Sequence, residues 1–230
     1  MKTPLALLLL SAGVFSASSA SAATEETLAK TFPVTPGGTL VVEVGFGSID
    51  IVADPARVEV NADVWRKITR GDTAAEESFL KDNPVEFVLN GNTVTIRTRA
   101  KTALSGSWFS GWRNRNEARY TVHVPPQFNT TLKTSGGSIA VTGLTGTVKA
   151  NTSGGGLAFT ALHGPLDGHT SGGGIKAVDC EGDVRLDTSG GGLHVSGGSG
   201  TLDGGTSGGS VTVKNFNGPV TVETSGGGIT

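Results

Sequence analysis

The chain has 230 residues, 18 basic and 20 acidic side chains for a formal net charge of −2, 36 glycines and one cysteine. Near-zero charge leaves no strongly cationic chain that would point to a polyanionic partner, and a single thiol rules out an internal disulfide. So glycine-rich a composition would suit a disordered linker, except that the aliphatic residues of the C-terminal part recur at fixed spacing, which a linker has no reason to keep.

At the N-terminus, Lys2, the apolar run from Leu5 to Val14 and then Ala20-Ser21-Ala22 have the layout of a secretory signal peptide. Residues 1–22 are predicted to be removed, leaving an exported chain in the periplasm, at the cell surface or in the medium. Nucleic acid is not an expected partner there. The apolar run is too short to cross a bilayer, so no transmembrane anchor is predicted. Residues 23–38 form a lead-in, and the stretch from Gly38 to Val64 reads as a worn copy of the later repeat. In it Ile49 and Val58 stand nine apart, as Ile139 and Val148 do, and Ile51 and Val60 fall two places further on.

Asp72 to Asp82 reads as a short helix capped by Asp72 or Thr73, with Phe79 and Leu80 facing inward. Val85–Leu89 and Thr93–Arg97 flank Asn90-Gly91-Asn92, which is a hairpin signal. Leu104 to Glu117 carries Trp108, Phe109, Trp112, Arg113 and Arg115 among Ser and Gly. Flat rings and guanidinium groups on a polar loop suit recognition of sugars or peptides, and these five residues are the candidate ligand-binding set. The mixed charges of residues 57–119 read as an ordinary surface. A strand over Tyr120–Val124 stops at Pro125-Pro126 and closes an irregular part, residues 39–133.

From Thr134 the segment Thr-Ser-Gly-Gly recurs at Thr152, Thr170, Thr188, Thr206 and Thr224, always at eighteen residues. With Thr as position one, the sixth column holds Ile139, Leu157, Ile175, Leu193, Val211 and Ile229. The eighth holds Val141, Phe159, Ala177, Val195 and Val213, and the fifteenth Val148, Leu166, Val184, Leu202 and Val220. Position thirteen is Gly in every complete unit. Polar residues alternate with these columns, so each unit supplies two short strands with one buried face, and no unit could bury its apolar side alone. Stacking them at about 4.8 Å predicts residues 134–230 to be the regular part of an all-β, single-stranded β-solenoid (β-helix) with eighteen-residue turns. A Thr ladder is expected at the corner, with the Gly pair supplying positive φ angles. Cys180 stands in the inward eleventh column and reads as a small buried apolar residue. The chain ends at Thr230, seven residues into its sixth unit; the last turn is expected either to continue in a longer polypeptide or to associate end to end with a partner or a second copy.

No catalytic set stands out. His163, His169 and His194 occupy the twelfth, eighteenth and seventh positions, and the aspartates are scattered over several columns. No metal or other cofactor is expected. A calcium-binding nonapeptide roll would want Asp where Gly154-Gly155-Gly156-Leu157-Ala158-Phe159 places Phe, and a hexapeptide helix would want aliphatics at positions twelve and eighteen.

The succession Gly38-Thr39-Leu40, Gly47-Ser48-Ile49-Asp50-Ile51, Val94-Thr95-Ile96, Val122-His123-Val124-Pro125 and Thr134-Ser135-Gly136-Gly137-Ser138-Ile139 with its copies resembles the bacterial putative-adhesin family, exported proteins of a domain of unknown function with β-strand repeats. The resemblance covers nearly all of the mature chain. It implies a β-solenoid at the cell envelope and brings no catalytic residues with it. The function expected is therefore a non-enzymatic, adhesin-like interaction with an envelope polymer or protein. The alternatives are an envelope-stress sensing module and a polysaccharide-active β-helix enzyme, the latter requiring an acid and a base on one face that these columns do not assemble.

Overall fold

The computed structural model describes residues 23–98 and 116–230. The described chain is all-β with one short helix. In order it comprises β1 (Thr24–Pro33), β2 (Gly38–Glu43), β3 (Ser48–Ala53), β4 (Glu59–Ile68), α1 (Thr73–Asp82), β5 (Val85–Asn90), β6 (Thr93–Thr98), β7 (Glu117–Val124) and β8 (Phe128–Thr134). The repeats follow as β9 (Ile139–Thr142), β10 (Val148–Thr152), β11 (Leu157–His163), β12 (Leu166–Thr170), β13 (Ile175–Thr188), β14 (Leu193–Ser196), β15 (Ser199–Thr206), β16 (Val211–Lys214) and β17 (Val220–Thr224).

Period-two alternation and an eighteen-residue repeat together fix the pairing. Along one ladder Thr130, Val148, Leu166, Val184, Leu202 and Val220 stand side by side in parallel strands β8, β10, β12, β13, β15 and β17. Along the other, Ile139, Leu157, Ile175, Leu193 and Val211 do the same in β9, β11, β13, β14 and β16. Strand β13 is long enough to belong to both. The sixth, eighth and fifteenth columns are buried from Ile139 to Leu202, as a slip of one residue would not allow. Burial fades at the last described rungs, where Val220 is 42% and Ile229 55% exposed.

The corners are built by the Thr and Gly of the repeat. From Thr152 onward each Thr hydroxyl donates to the carbonyl of the fourth-position Gly one rung back, as Thr152 to Gly137 and Thr170 to Gly155 at 2.8 and 2.7 Å, while Thr134 donates to Gly47 at 3.0 Å. The expected Thr ladder is thus present. The expected positive φ of the Gly pair is not: those glycines keep ordinary backbone angles, and positive φ belongs to position thirteen, at Gly146, Gly164, Gly182, Gly200 and Gly218. The second Gly of each pair is required by close stacking instead. A Cβ on Gly155 would lie 2.1 Å from the Gly137 carbonyl oxygen, and one on Gly173 2.1 Å from that of Gly155.

At the N-terminal end β2 lies parallel to β8, with Leu40 opposite Thr130, and β3 lies parallel to β9, with Ile49 opposite Ile139 and Ile51 opposite Val141. Ile49 and Ile51 therefore do continue the sixth and eighth columns. Val58 and Val60 do not continue the fifteenth and seventeenth. Val58 is 77% exposed, and Val60 sits in β4, which runs antiparallel to β1 and β7. The chain leaves the stack at Asp54-Pro55, where the Asp54 carboxylate accepts from Ala56 N and pairs with Arg57. Leu40 and Val42, nine residues before Ile49 and Ile51, fill those columns instead.

Strands β5 and β6 form the expected hairpin, with Asn90 opposite Thr93 and Gly91 at φ 57°. Helix α1 is capped by Asp72, whose side chain accepts from Ala75 N at 2.7 Å. Phe79 and Leu80 are half-buried; the residue the helix buries fully is Glu76. Its carboxylate accepts from Arg70 N (2.9 Å), Thr24 N (3.0 Å) and the Thr24 hydroxyl (2.8 Å), which ties the helix to the first strand. The Arg70 N–H, followed by the Thr24 hydroxyl, holds this carboxyl below its usual range. Among the described residues no helix is long and apolar enough to cross a membrane.

Candidate functional site

The five residues singled out from the sequence, Trp108, Phe109, Trp112, Arg113 and Arg115, lie outside the described residues, as does the predicted signal peptide. The described chain positions that flank the aromatic segment, Thr98 and Asn116, each border a cleft that Phe46 also lines. Phe46 stands in the β2–β3 connection, where Gly45 N donates to the Thr98 hydroxyl at 3.0 Å and so fixes the end of β6 beside it.

On the Thr98 side is a cleft of about 350 Å³ whose wall is formed by Val44, Phe46 and Phe79, with Glu43 and Lys133 at its rim. The Phe46 and Phe79 rings are tilted with centroids 6.2 Å apart, and the Arg70 guanidinium lies 3.9 Å over the other ring, Phe79. On the Asn116 side is an open groove of about 390 Å³ bounded by Phe46, Ser48, Trp65, Asn116 and Arg119. Its floor is backbone, because Gly47 and Gly137 meet so closely that a Cβ on Gly137 would fall 1.9 Å from the Gly47 oxygen.

Trp65 faces this groove because its neighbour Arg66 faces the interior. Arg66 is 1% exposed; its Nε donates to Glu26 at 2.8 Å, Nη1 donates to the Asn83 carbonyl at 2.7 Å, and Nη2 also contacts Glu26. Alternation along β4 then places Val64, Arg66 and Ile68 inside and Trp65 and Lys67 outside. Tyr120, on the neighbouring β7, is fully buried with a hydroxyl that makes no hydrogen bond, and burial pushes its phenol up to about 12.

The repeats offer a different surface. One cleft, about 430 Å³, lies beside β13, β15 and β17, lined by Ser189, Ser207 and Ser225 with His169, Asp187 and Glu223, and no Phe, Tyr or Trp is among its described lining residues. His163 bonds Glu181 across one rung at 2.9 Å, and among the described residues no group of three or more His, Cys, Asp and Glu could hold a metal ion. Cys180 is buried, and its thiol is pushed up by that burial. Neither Trp65 nor Phe46 stands out in the sequence. The available signal was the alternation of Ala62, Val64, Arg66 and Ile68, which sends Trp65 to the polar side.

No protein-family model matches the chain, and no curated protein matches it. Solved structures similar to it include a putative adhesin of Bacteroides fragilis, with 11% identity, coverage of 89% of this chain and 96% of that one, and a TM-score of 0.46. A putative cell adhesion protein of Clostridium sporogenes follows at 11% identity, 90% and 97% coverage and a TM-score of 0.44. A putative lipid binding protein of Parabacteroides distasonis shares 11% identity, 89% and 96% coverage and a TM-score of 0.35.

Proposed function

We propose that the protein is an exported, non-enzymatic interaction module of the bacterial cell envelope, adhesin-like in role, from which residues 1–22 are removed as a signal peptide. In this reading the two parallel ladders are a single-stranded β-solenoid of eighteen-residue turns. Its regular part, residues 134–230, is a stiff scaffold, and its irregular part, residues 39–133, carries the binding end. The partner is an envelope polymer or protein met through Trp108, Phe109, Trp112, Arg113 and Arg115.

The observation that carries this reading is the position of Thr98 and Asn116. The two described residues between which the aromatic segment is attached, Thr98 and Asn116, border the apolar cleft and the groove, and Phe46 lines both. The seventh column, by contrast, changes from Ala140 and Ala158 to Lys176, His194 and Thr212 and gives a repetitive ligand no uniform row. The test is a pull-down of residues 23–230 against fractionated envelope components, beside a Trp108→Ala/Trp112→Ala variant. Capture by the native sequence and its loss in the variant is the expected result. Equal capture by both, or none by either, contradicts the reading.

A further inference from the structure

The groove beside Trp65, as its described residues line it, has a chemistry of its own. Trp65 is half-buried on the outward side of β4, with its indole N–H directed to Glu25 at 3.4 Å, so the ring is held rather than free to turn. Directly opposite it on β7 is Arg119, exposed and without an ion pair among the described residues. On the other side of Arg119, in register, is Ser48 of β3. Glu117 and Asn116 complete the rim, the Asn116 amide oxygen being turned inward and buried.

We propose that this groove binds a neutral oligosaccharide, with one sugar ring seated on Trp65. A sugar ring has an apolar C–H face that matches an indole, and a rigid indole offers that area with little entropy to lose. Each sugar hydroxyl both donates and accepts. The rim supplies a donor-only group in Arg119, an acceptor-only group in Glu117 and a group that does both in the Ser48 hydroxyl. One cation and one anion at the same rim cancel, which favours an uncharged sugar over a uronic acid or a phosphate. The backbone floor at Gly47 and Gly137 is flat because no side chain can stand there, so a chain of sugars can lie across it. At about 390 Å³ the groove falls within the range of about 300–1,000 Å³ usual for small-ligand sites. The inference rests on the interaction-module reading and adds to it the class of ligand.

The experiment is a calorimetric titration of residues 23–230 with maltohexaose, cellohexaose and chitohexaose, and with hexagalacturonate as the acidic counterpart. At least one neutral hexasaccharide is expected to bind, with little change when salt is raised. Trp65→Ala is expected to weaken that binding about tenfold or more. Arg119→Gln and Ser48→Ala, both on exposed or half-buried rim positions, weaken it less, and Trp65→Phe retains most of it while keeping the strand packed. Binding of none of the neutral sugars, preference for hexagalacturonate, or a Trp65→Ala variant that binds as the native protein does would overturn the proposal. So would loss of sugar binding in Trp108→Ala/Trp112→Ala with Trp65→Ala unaffected, a result that leaves the envelope reading standing. The envelope reading fails separately, by the absence of capture in the pull-down.

Discussion

At Gly173 and its neighbour Gly172 the same amino acid serves two different ends. A Cβ on Gly173 would meet the Gly155 carbonyl at 2.1 Å, whereas one on Gly172 would find its nearest atom at 3.4 Å. Gly173→Ala is therefore expected to cost about 3 kcal/mol and Gly172→Ala less than about 0.5 kcal/mol, read from denaturant midpoints of the two variants. Threonine divides in the same way. Thr170 is buried and donates to Gly155, while Thr130, also buried and standing in a column of Val and Leu, has a hydroxyl with no partner. Thr170→Val should lose about 1 kcal/mol and Thr130→Val should gain a similar amount; equal signs would contradict the hydrogen-bond assignment. Tyr120 adds a pH signature. Its folded value, about 12, is raised above the value of about 10 for an unfolded tyrosine. The stability that neutral Tyr120 confers is thus complete below about pH 10 and is lost as pH rises toward 12. Unfolding midpoints measured over that window should fall for the native chain and fall less for Tyr120→Phe.

At the scale of the element, the columns behave as units. Ile175 lies between Leu157 and Leu193, 2% exposed, at the start of the one strand that joins both ladders. Ile175→Asp buries an uncompensated charge between two rungs and is expected to cost several kcal/mol and to lower the unfolding temperature of the whole repeat region at once. Unchanged thermal unfolding would contradict the register. These ladders were legible in the sequence because Ile139, Leu157 and Ile175 keep a spacing that no insertion disturbs. The corners were legible only in part: the Thr column was, but a Gly chosen for close stacking looks the same on paper as a Gly chosen for positive φ. Val58 and Val60 misled because their spacing from Ile49 and Ile51 equals that of the repeat, while the turn at Asp54-Pro55 sends β4 back antiparallel. Strand β1, TEETLAKTFP, has too few apolar residues to be read as a strand and is held by pairing with β4 and by Glu76. That Glu76 and Arg66 are inside could not be read, since a charged residue shows its burial only through distant partners.

On the scale of the whole molecule, the two ends of the described chain differ. The repeats present broad polar faces whose identity changes from rung to rung, and the N-terminal part gathers Phe46, Trp65, Phe79 and Arg119 around two clefts. In the proposed reading stiffness suits the first part and recognition the second, since a rigid stack would hold a binding end at a fixed distance and orientation while contributing few contacts itself. The sequence suggested that division through the aromatic segment, but it did not show Trp65 and Phe46, which reach the same region from separate strands and connections. The central claim is that recognition belongs to this N-terminal end. It is tested most directly by amide chemical-shift mapping of residues 23–230 as the envelope fraction captured in the pull-down is added. The account predicts perturbations concentrated at residues 44–48, 65–67 and 116–119 and in the segment 99–115, with the repeats beyond Thr152 unmoved. Perturbations running down Ala158, Lys176, His194 and Thr212, with Phe46 and Trp65 unchanged, would contradict it.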